Sequence, residues 1–155
     1  MNKERLQLYI DYEAELETYI DRAFKIEETH YQFMKRIIGF ENNCEWIDIK
    51  HKNKIIGFLI IGTGEYTHPD TDYFIAQADI DPTYRHKGYM TKAVKDYVDN
   101  HKGIYCMLII NTNTSAKAFW LKRYKELGYK QIPLRKLKGV VDERVCQQYG
   151  FAPNS

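Results

Sequence analysis

A chain of 155 residues, with 23 Lys and Arg against 21 Asp and Glu and 44% hydrophobic residues, has the size and balance of one globular domain, residues 1–155, which needs no disulfide or metal staple. Its longest apolar stretch, Ile55 to Ile61, falls far short of the roughly 18 residues of a membrane span, and its opening Met1-Asn2-Lys3-Glu4-Arg5 leads into acid-rich sequence instead of a secretory core. Cys44, Cys106 and Cys146 are odd in number with no C-x-x-C pair, and the histidines show no ligand spacing, so a disulfide framework and a metal site are not expected; a cytoplasmic protein without a membrane partner is.

In chain order, Tyr9, Tyr12, Leu16, Tyr19, Ile20, Ala23 and Phe24 recur at helical spacing between acids, which predicts an amphipathic helix over residues 3 to 26. A second helix is expected from an N-cap at Thr29 through Met34, Ile37 and Ile38, with Gly39 as its C-terminal cap. Strands follow at Trp46 to Lys50 and Ile55 to Ile61, joined by a turn at Lys52-Asn53 into a hairpin. A polar loop from Gly62 to Asp72 leads to a third strand, Tyr73 to Ile80, closed by Asp81-Pro82.

Met90, Ala93, Val94, Tyr97 and Val98 form the apolar face of a helix from His86 to His101, which Gly103 stops. The unbroken apolar run Ile104 to Ile110 predicts a strand buried on both faces. Thr114 or Ser115 can cap a helix that carries Phe119, Trp120, Tyr124 and Leu127 and ends at Gly128. Two short strands, Tyr129 to Leu134 and Arg144 to Phe151, complete a mixed α/β sheet flanked by helices.

The stretch Ile80-Asp81-Pro82-Thr83-Tyr84-Arg85-His86-Lys87-Gly88-Tyr89-Met90-Thr91 ends a strand, passes through a loop with bases and glycine, and starts a helix at once. Free N–H groups at such a helix start, with its partial positive charge, form a site for a phosphate or pyrophosphate, and Gly88 admits close backbone approach. The same residues also fit an ordinary strand-to-helix turn. Charge along the chain supports a phosphate: residues 83 to 138 carry 13 bases and 3 acids, whereas residues 39 to 82 carry 3 bases and 8 acids. Neither G-x-x-x-x-G-K-[ST] nor G-x-G-x-x-G is present.

Arg85-His86-Lys87-Gly88-Tyr89-Met90 resembles the R/Q-x-x-G-x-G/A signature of the GNAT superfamily of acyl-CoA-dependent N-acyltransferases, and Gly88-Tyr89-Met90-Thr91-Lys92-Ala93 is similar to its ribosomal-protein N-terminal acetyltransferase branch. A second block, Asn113-Thr114-Ser115-Ala116, Phe119-Trp120 and Tyr124 to Tyr129, resembles the N-x-x-A-x-x-x-Y…LG-[FY] segment of the same family, so the likeness covers residues 44 to 130. Three departures stand out. Met90 replaces a small residue; the second block is one helical turn long, so either Trp120 or Tyr124 takes the tyrosine position; and the first strand of the family is absent or displaced.

The resemblance implies that acetyl-CoA lays its pantetheine in a V-shaped opening between Tyr73–Ile80 and Ile104–Ile110, with its pyrophosphate on the N–H groups of His86, Lys87, Gly88, Tyr89, Met90 and Thr91. Arg85 and Lys87 would attract the phosphates, and Ile80, Asn113 and Trp120 complete the cofactor-binding set. The acyl acceptor is an amine, of a small cationic molecule or a peptide. Because an alkylammonium titrates near pH 10, it must surrender a proton to a carboxylate, for which Glu65 and Asp79 are candidates among the five acids between Ile55 and Tyr84. Either can equally be a solvated loop or strand-end acid.

Tyr124 is the candidate acid for the departing thiolate, or else a core residue, and Trp120 reads as wall. Backbone N–H groups near Asp79 to Asp81 would hold the thioester oxyanion. A silent acyl-CoA-binding module is the alternative, with a nucleic-acid-binding protein behind it; no nucleic-acid partner is expected, and assembly as a homodimer is left open.

Overall fold

The computed structural model describes residues 2–20, 30–139 and 141–154. Helix α1 (Lys3–Glu17) starts where the Asn2 side chain accepts the N–H groups of Glu4 and Arg5. It ends well before residue 26: Thr18 and Tyr19 donate to carbonyls three residues back, and the Thr18 hydroxyl donates to the Glu15 carbonyl at 2.6 Å, which tightens and stops the last turn. The expected continuation over 21–26 and the expected cap at Thr29 lie outside the described residues. Helix α2 (His30–Asn43) runs straight through Gly39. Burial of Ile37 beside half-buried Phe40 outweighs the roughly 1 kcal/mol that a mid-helix glycine costs.

Strands β1 (Glu45–His51) and β2 (Lys54–Gly62) form the expected hairpin, with Lys52 and Asn53 at φ 48° and 68°, the left-handed pair that a two-residue turn requires. Strand β3 (Tyr73–Ile80) matches its expected bounds, and the loop before it holds one 3₁₀ turn, Gly64–Tyr66. Helix α3 (Tyr89–Asn100) starts three residues later than expected and ends before Gly103. Then come β4 (Tyr105–Ile110), α4 (Thr114–Glu126), β5 (Tyr129–Ile132) and β6 (Cys146–Pro153). Helix α4 is capped by Asn113, not by Thr114 or Ser115: the Asn113 side chain accepts the Ala116 N–H at 3.1 Å.

The sheet runs β1-β2-β3-β4-β6-β5, antiparallel except for the β3–β4 pair. Residues of α1 and α2 pack with Phe58 and Ile60 on one side, while Val94, Val98, Trp120 and Tyr124 of α3 and α4 join a second core with β-strand residues. Parallel pairing covers only Tyr73 to Ile75 against Tyr105 to Met107. Beyond it the two strands part, because β3 carries an irregularity between its partners Ile60 and Ile61 and then follows β2 instead of β4. Leu108, expected to be buried, is 40% exposed on the part of β4 that pairs with β6 but not with β3.

Candidate active site

Gly57 brings the last residues of β3 hard against β2: a Cβ there would lie 2.4 Å from the Asp79 carbonyl and 2.6 Å from Ile80 Cδ1, so only glycine fits. From Ile80 the chain turns through Asp81, whose carboxylate accepts the Thr83 N–H at 2.9 Å, into the loop and α3. His86 and Gly88 both take left-handed backbone, φ 62° and 85°, and Gly88 caps α3 without any side-chain bond. Among the described residues, none of the backbone N–H groups from His86 to Thr91 has a hydrogen-bond partner. Consecutive unpaired donors at a helix start are a seat for a phosphate.

A cleft of about 530 Å³ opens beside this loop, a size usual for small-molecule sites, and it is lined from β3, the loop, α3, α4 and α1. Ile80, Arg85, His86, Gly88, Tyr89, Met90, Thr91, Asn113, Trp120 and Asp79 all border it; Lys87 is exposed nearby, its ammonium 5.8 Å from the Tyr84 ring. Met90 also packs on the core, leaving its backbone to the loop. Tyr89 shares a 2.8 Å hydrogen bond with His51 Nδ1.

Arg85 does not reach outward toward phosphates. Its Nε donates to the Ile80 carbonyl at 2.7 Å, one terminal nitrogen to Glu15 at 2.7 Å, and the other to Asp79 at 2.8 Å and to Glu15. Two carboxylates hold its fork and keep its pKa raised, so the residue ties α1 to the end of β3. Asp79 is 11% exposed; burial, chiefly, and the charge of Glu15 push its carboxyl up to about 7, against the pull of Arg85. Such a group takes up and gives back a proton near neutrality.

The other candidate acid does not face the site. Glu65 sits on the exposed 3₁₀ turn after β2, at the end of the sheet opposite Asp79, and is no part of the cleft. Asp70 pairs with Arg135 at 2.8 Å, and Asp72 accepts the Ile104 N–H at 2.8 Å. The acid-rich segment is thus spent mostly on loops and ion pairs.

One of the expected oxyanion donors is already taken. Asp81 N–H donates to the Ile56 carbonyl at 2.7 Å and is unavailable. By the alternation of antiparallel pairing, the N–H of Ala78, which lines the cleft, points away from β2 toward the opening.

Helix α4 resolves its own register. Trp120 borders the cleft, seven residues from Asn113. Tyr124, one turn on, is fully buried, its ring stacked on Phe151 at 4.4 Å, and its hydroxyl has no hydrogen-bond partner among the described residues. Burial holds its pKa well above the ordinary phenol range. The hydroxyl of Tyr124, the expected thiolate acid, thus lies in the apolar core and not at the cleft.

Sequence reasoning missed the contribution of α1. Tyr12, Glu15, Leu16 and Tyr19 border the cleft as one helical stripe extended into the following turn. The amphipathic period was visible, but it marked this face only as apolar and could not say that part of it overhangs a cavity.

No group of three or more His, Cys, Asp or Glu among the described residues could hold a metal, and no helix among them is long and apolar enough to cross a membrane. The profile of the acetyltransferase (GNAT) family matches residues 7–128. No curated protein sequence matches the chain. Among solved structures, a GNAT-family acetyltransferase from Streptococcus agalactiae has TM-score 0.62 at 15% identity, over 98% of this chain and 90% of that one.

A GNAT-family protein from Bacteroides thetaiotaomicron has TM-score 0.58 at 13% identity, over 100% of this chain and 85% of that one. A diaminobutyrate acetyltransferase from Paenibacillus lautus, solved with L-2,4-diaminobutyric acid and coenzyme A, has TM-score 0.56 at 14% identity, over 88% of this chain and 86% of that one. These similarities carry the fold, and the matched profile carries the lineage: the chain belongs to the GNAT family of acetyltransferases.

Proposed function

We propose that the protein transfers the acetyl group of acetyl-CoA to a primary amine by direct attack in a ternary complex. The observation that supports this reading is one cleft bordered both by a run of unpartnered N–H groups and by a buried carboxylate that titrates near neutrality. The pyrophosphate of acetyl-CoA would take the donors from His86 to Thr91, with Lys87 adding charge. Pantetheine would lie in the gap between the ends of β3 and β4 and against Trp120.

In the reaction, Asp79 accepts the proton that the ammonium must lose, and the amine nitrogen bonds to the thioester carbon. The carbonyl oxygen, now negative, is held by the Ala78 N–H. The C–S bond then breaks and the electron pair leaves on sulfur. An aliphatic thiol titrates near pH 8.5, so the thiolate leaves readily and takes the second proton from the nitrogen made positive by the attack, which leaves a neutral amide, while Asp79 returns the first proton to water; no phenol on α4 is needed.

Trp120, which has no acidic proton, favours a second reading, an acyl-CoA-binding module without turnover. Thermal unfolding with acetyl-CoA tests both. At 100 times its dissociation constant the ligand adds about 2.7 kcal/mol of stability. No shift at millimolar acetyl-CoA overturns acetyl-CoA binding; a shift with no thiol release across a panel of amines leaves the silent binder.

A further inference from the structure

Resting on the acetyl-transfer reading, we propose that the acceptor is an arylalkyl monoamine, a single ammonium on an apolar, ring-bearing body without a carboxylate, seated against the α1 stripe. Once the acyl donor occupies the loop, the β3–β4 gap and the α4 side, the wall left to the acceptor among the described residues is Tyr12, Glu15, Leu16 and Tyr19. Three of these four side chains are aromatic or aliphatic, and Phe119 from α4 borders the same cleft.

This wall is fixed on both sides. Arg85 grips Glu15 from the β3–α3 loop, and the Thr112 hydroxyl, on the β4–α4 loop, donates to the Tyr19 carbonyl. The end of α1 therefore bridges the two loops across the gap between β3 and β4, and an acceptor meets a preformed apolar surface.

Charge then selects among amines. Two carboxylates, Glu15 and Asp79, share one guanidinium, so the site carries one excess negative charge when both are ionised and none when Asp79 is protonated. One ammonium is matched by it. A second or third ammonium, as in a polyamine, would be taken out of water without a partner among the described residues, which is strongly unfavourable. An amino acid brings a carboxylate that would face Glu15 and Asp79. The fork of Arg85 is already committed, and Arg123 is compensated by Glu126 at 2.7 Å while its guanidinium lies 5.0 Å from the Phe119 ring centre. Aromatic side chains favour a flat apolar body in the remaining space.

The test measures thiol release from acetyl-CoA with 2-phenylethylamine, spermidine, L-2,4-diaminobutyrate and a hexapeptide with a free N-terminus. The expected kcat/KM for 2-phenylethylamine exceeds each of the others by at least about tenfold, since one unpaired buried charge costs more than the 1.4 kcal/mol of that ratio. Leu16→Asp, which adds a carboxylate to the wall, should move the ratio of spermidine to 2-phenylethylamine upward by about tenfold. The wild-type panel decides the question without the variant. Spermidine, diaminobutyrate or peptide leading the panel overturns the acceptor assignment and leaves acetyl transfer standing. An acetyl-CoA-induced stability shift with no thiol release from any amine overturns both.

Discussion

Tyr124 and Trp120 lie one helical turn apart, and their fates differ because the core claims one and the cleft the other. Tyr124 is wedged against Tyr105, Tyr129 and Phe151, where its hydroxyl is buried without a partner among the described residues. An unsatisfied buried hydroxyl costs roughly 1–3 kcal/mol, whereas the ring itself contributes packing. Tyr124→Phe should therefore raise stability by about 1 kcal/mol in chemical denaturation and leave turnover unchanged; a large fall in kcat would return the phenol to the reaction. Arg85 shows the same contrast between residue type and role. A basic residue in a phosphate-loop motif reads as a phosphate ligand, yet two carboxylates and the Ile80 carbonyl hold its fork in the structure.

At the scale of elements, most of the fold was legible. The β1–β2 hairpin, the bounds of β3, the strand–loop–helix unit around Gly88 and the order of later elements all follow from local signals: apolar period, turn residues and a glycine at a helix start. What failed was the ends of helices. Gly39 reads as a cap but is carried inside α2, and α1 stops where Thr18 turns its hydroxyl back on the helix.

The loop before α3 makes a prediction at this scale. At Gly88, φ is 85° and a Cβ would meet no protein atom within 4 Å, so alanine there costs about 1–2 kcal/mol of backbone strain without a clash. The added methyl would instead stand among the backbone donors proposed to take the pyrophosphate. Gly88→Ala should raise the KM for acetyl-CoA about tenfold or more with kcat within about twofold, as steady-state kinetics would read. An unchanged KM would remove the loop from the donor site.

Over the whole molecule, the near-neutral charge total conceals an uneven chain, but folding redistributes it. Bases of the 83–138 segment are drawn into ion pairs with Glu15, Asp70, Asp79, Asp96, Asp99, Glu126 and Glu143, some on the same helix and some from distant parts of the chain. One titration reports on the assembled protein. The Asp79 carboxyl moves from an unfolded value of 3.8 to about 7, so between those pH values the folded state keeps a proton that the unfolded state releases. Its stabilising effect is complete below about pH 4 and is lost as pH climbs to about 7.

Asp79→Asn should remove that slope. The stability of the variant relative to wild type should grow with pH between 5 and 7, by at most about 1.4 kcal/mol per unit, as urea unfolding would measure. The same substitution should cut turnover by about 100-fold or more and abolish its rise through pH 7. A parallel pair of stability curves would show that Asp79 titrates normally.

By itself the sequence determined the class of fold, the strand–loop–helix unit around Gly88 and the family, because each is written in residues close together in the chain. Only the tertiary structure decided the working parts of the cleft: that Asp79 is buried and Glu65 remote, that Trp120 faces the opening and Tyr124 the core, and that α1 is pinned over the gap. The pinning contacts join residues 70 and 93 positions apart. Periodicity and capping act over a few residues, whereas burial, ion pairing and the choice of which helix face overhangs a cavity are set by what the rest of the chain brings alongside.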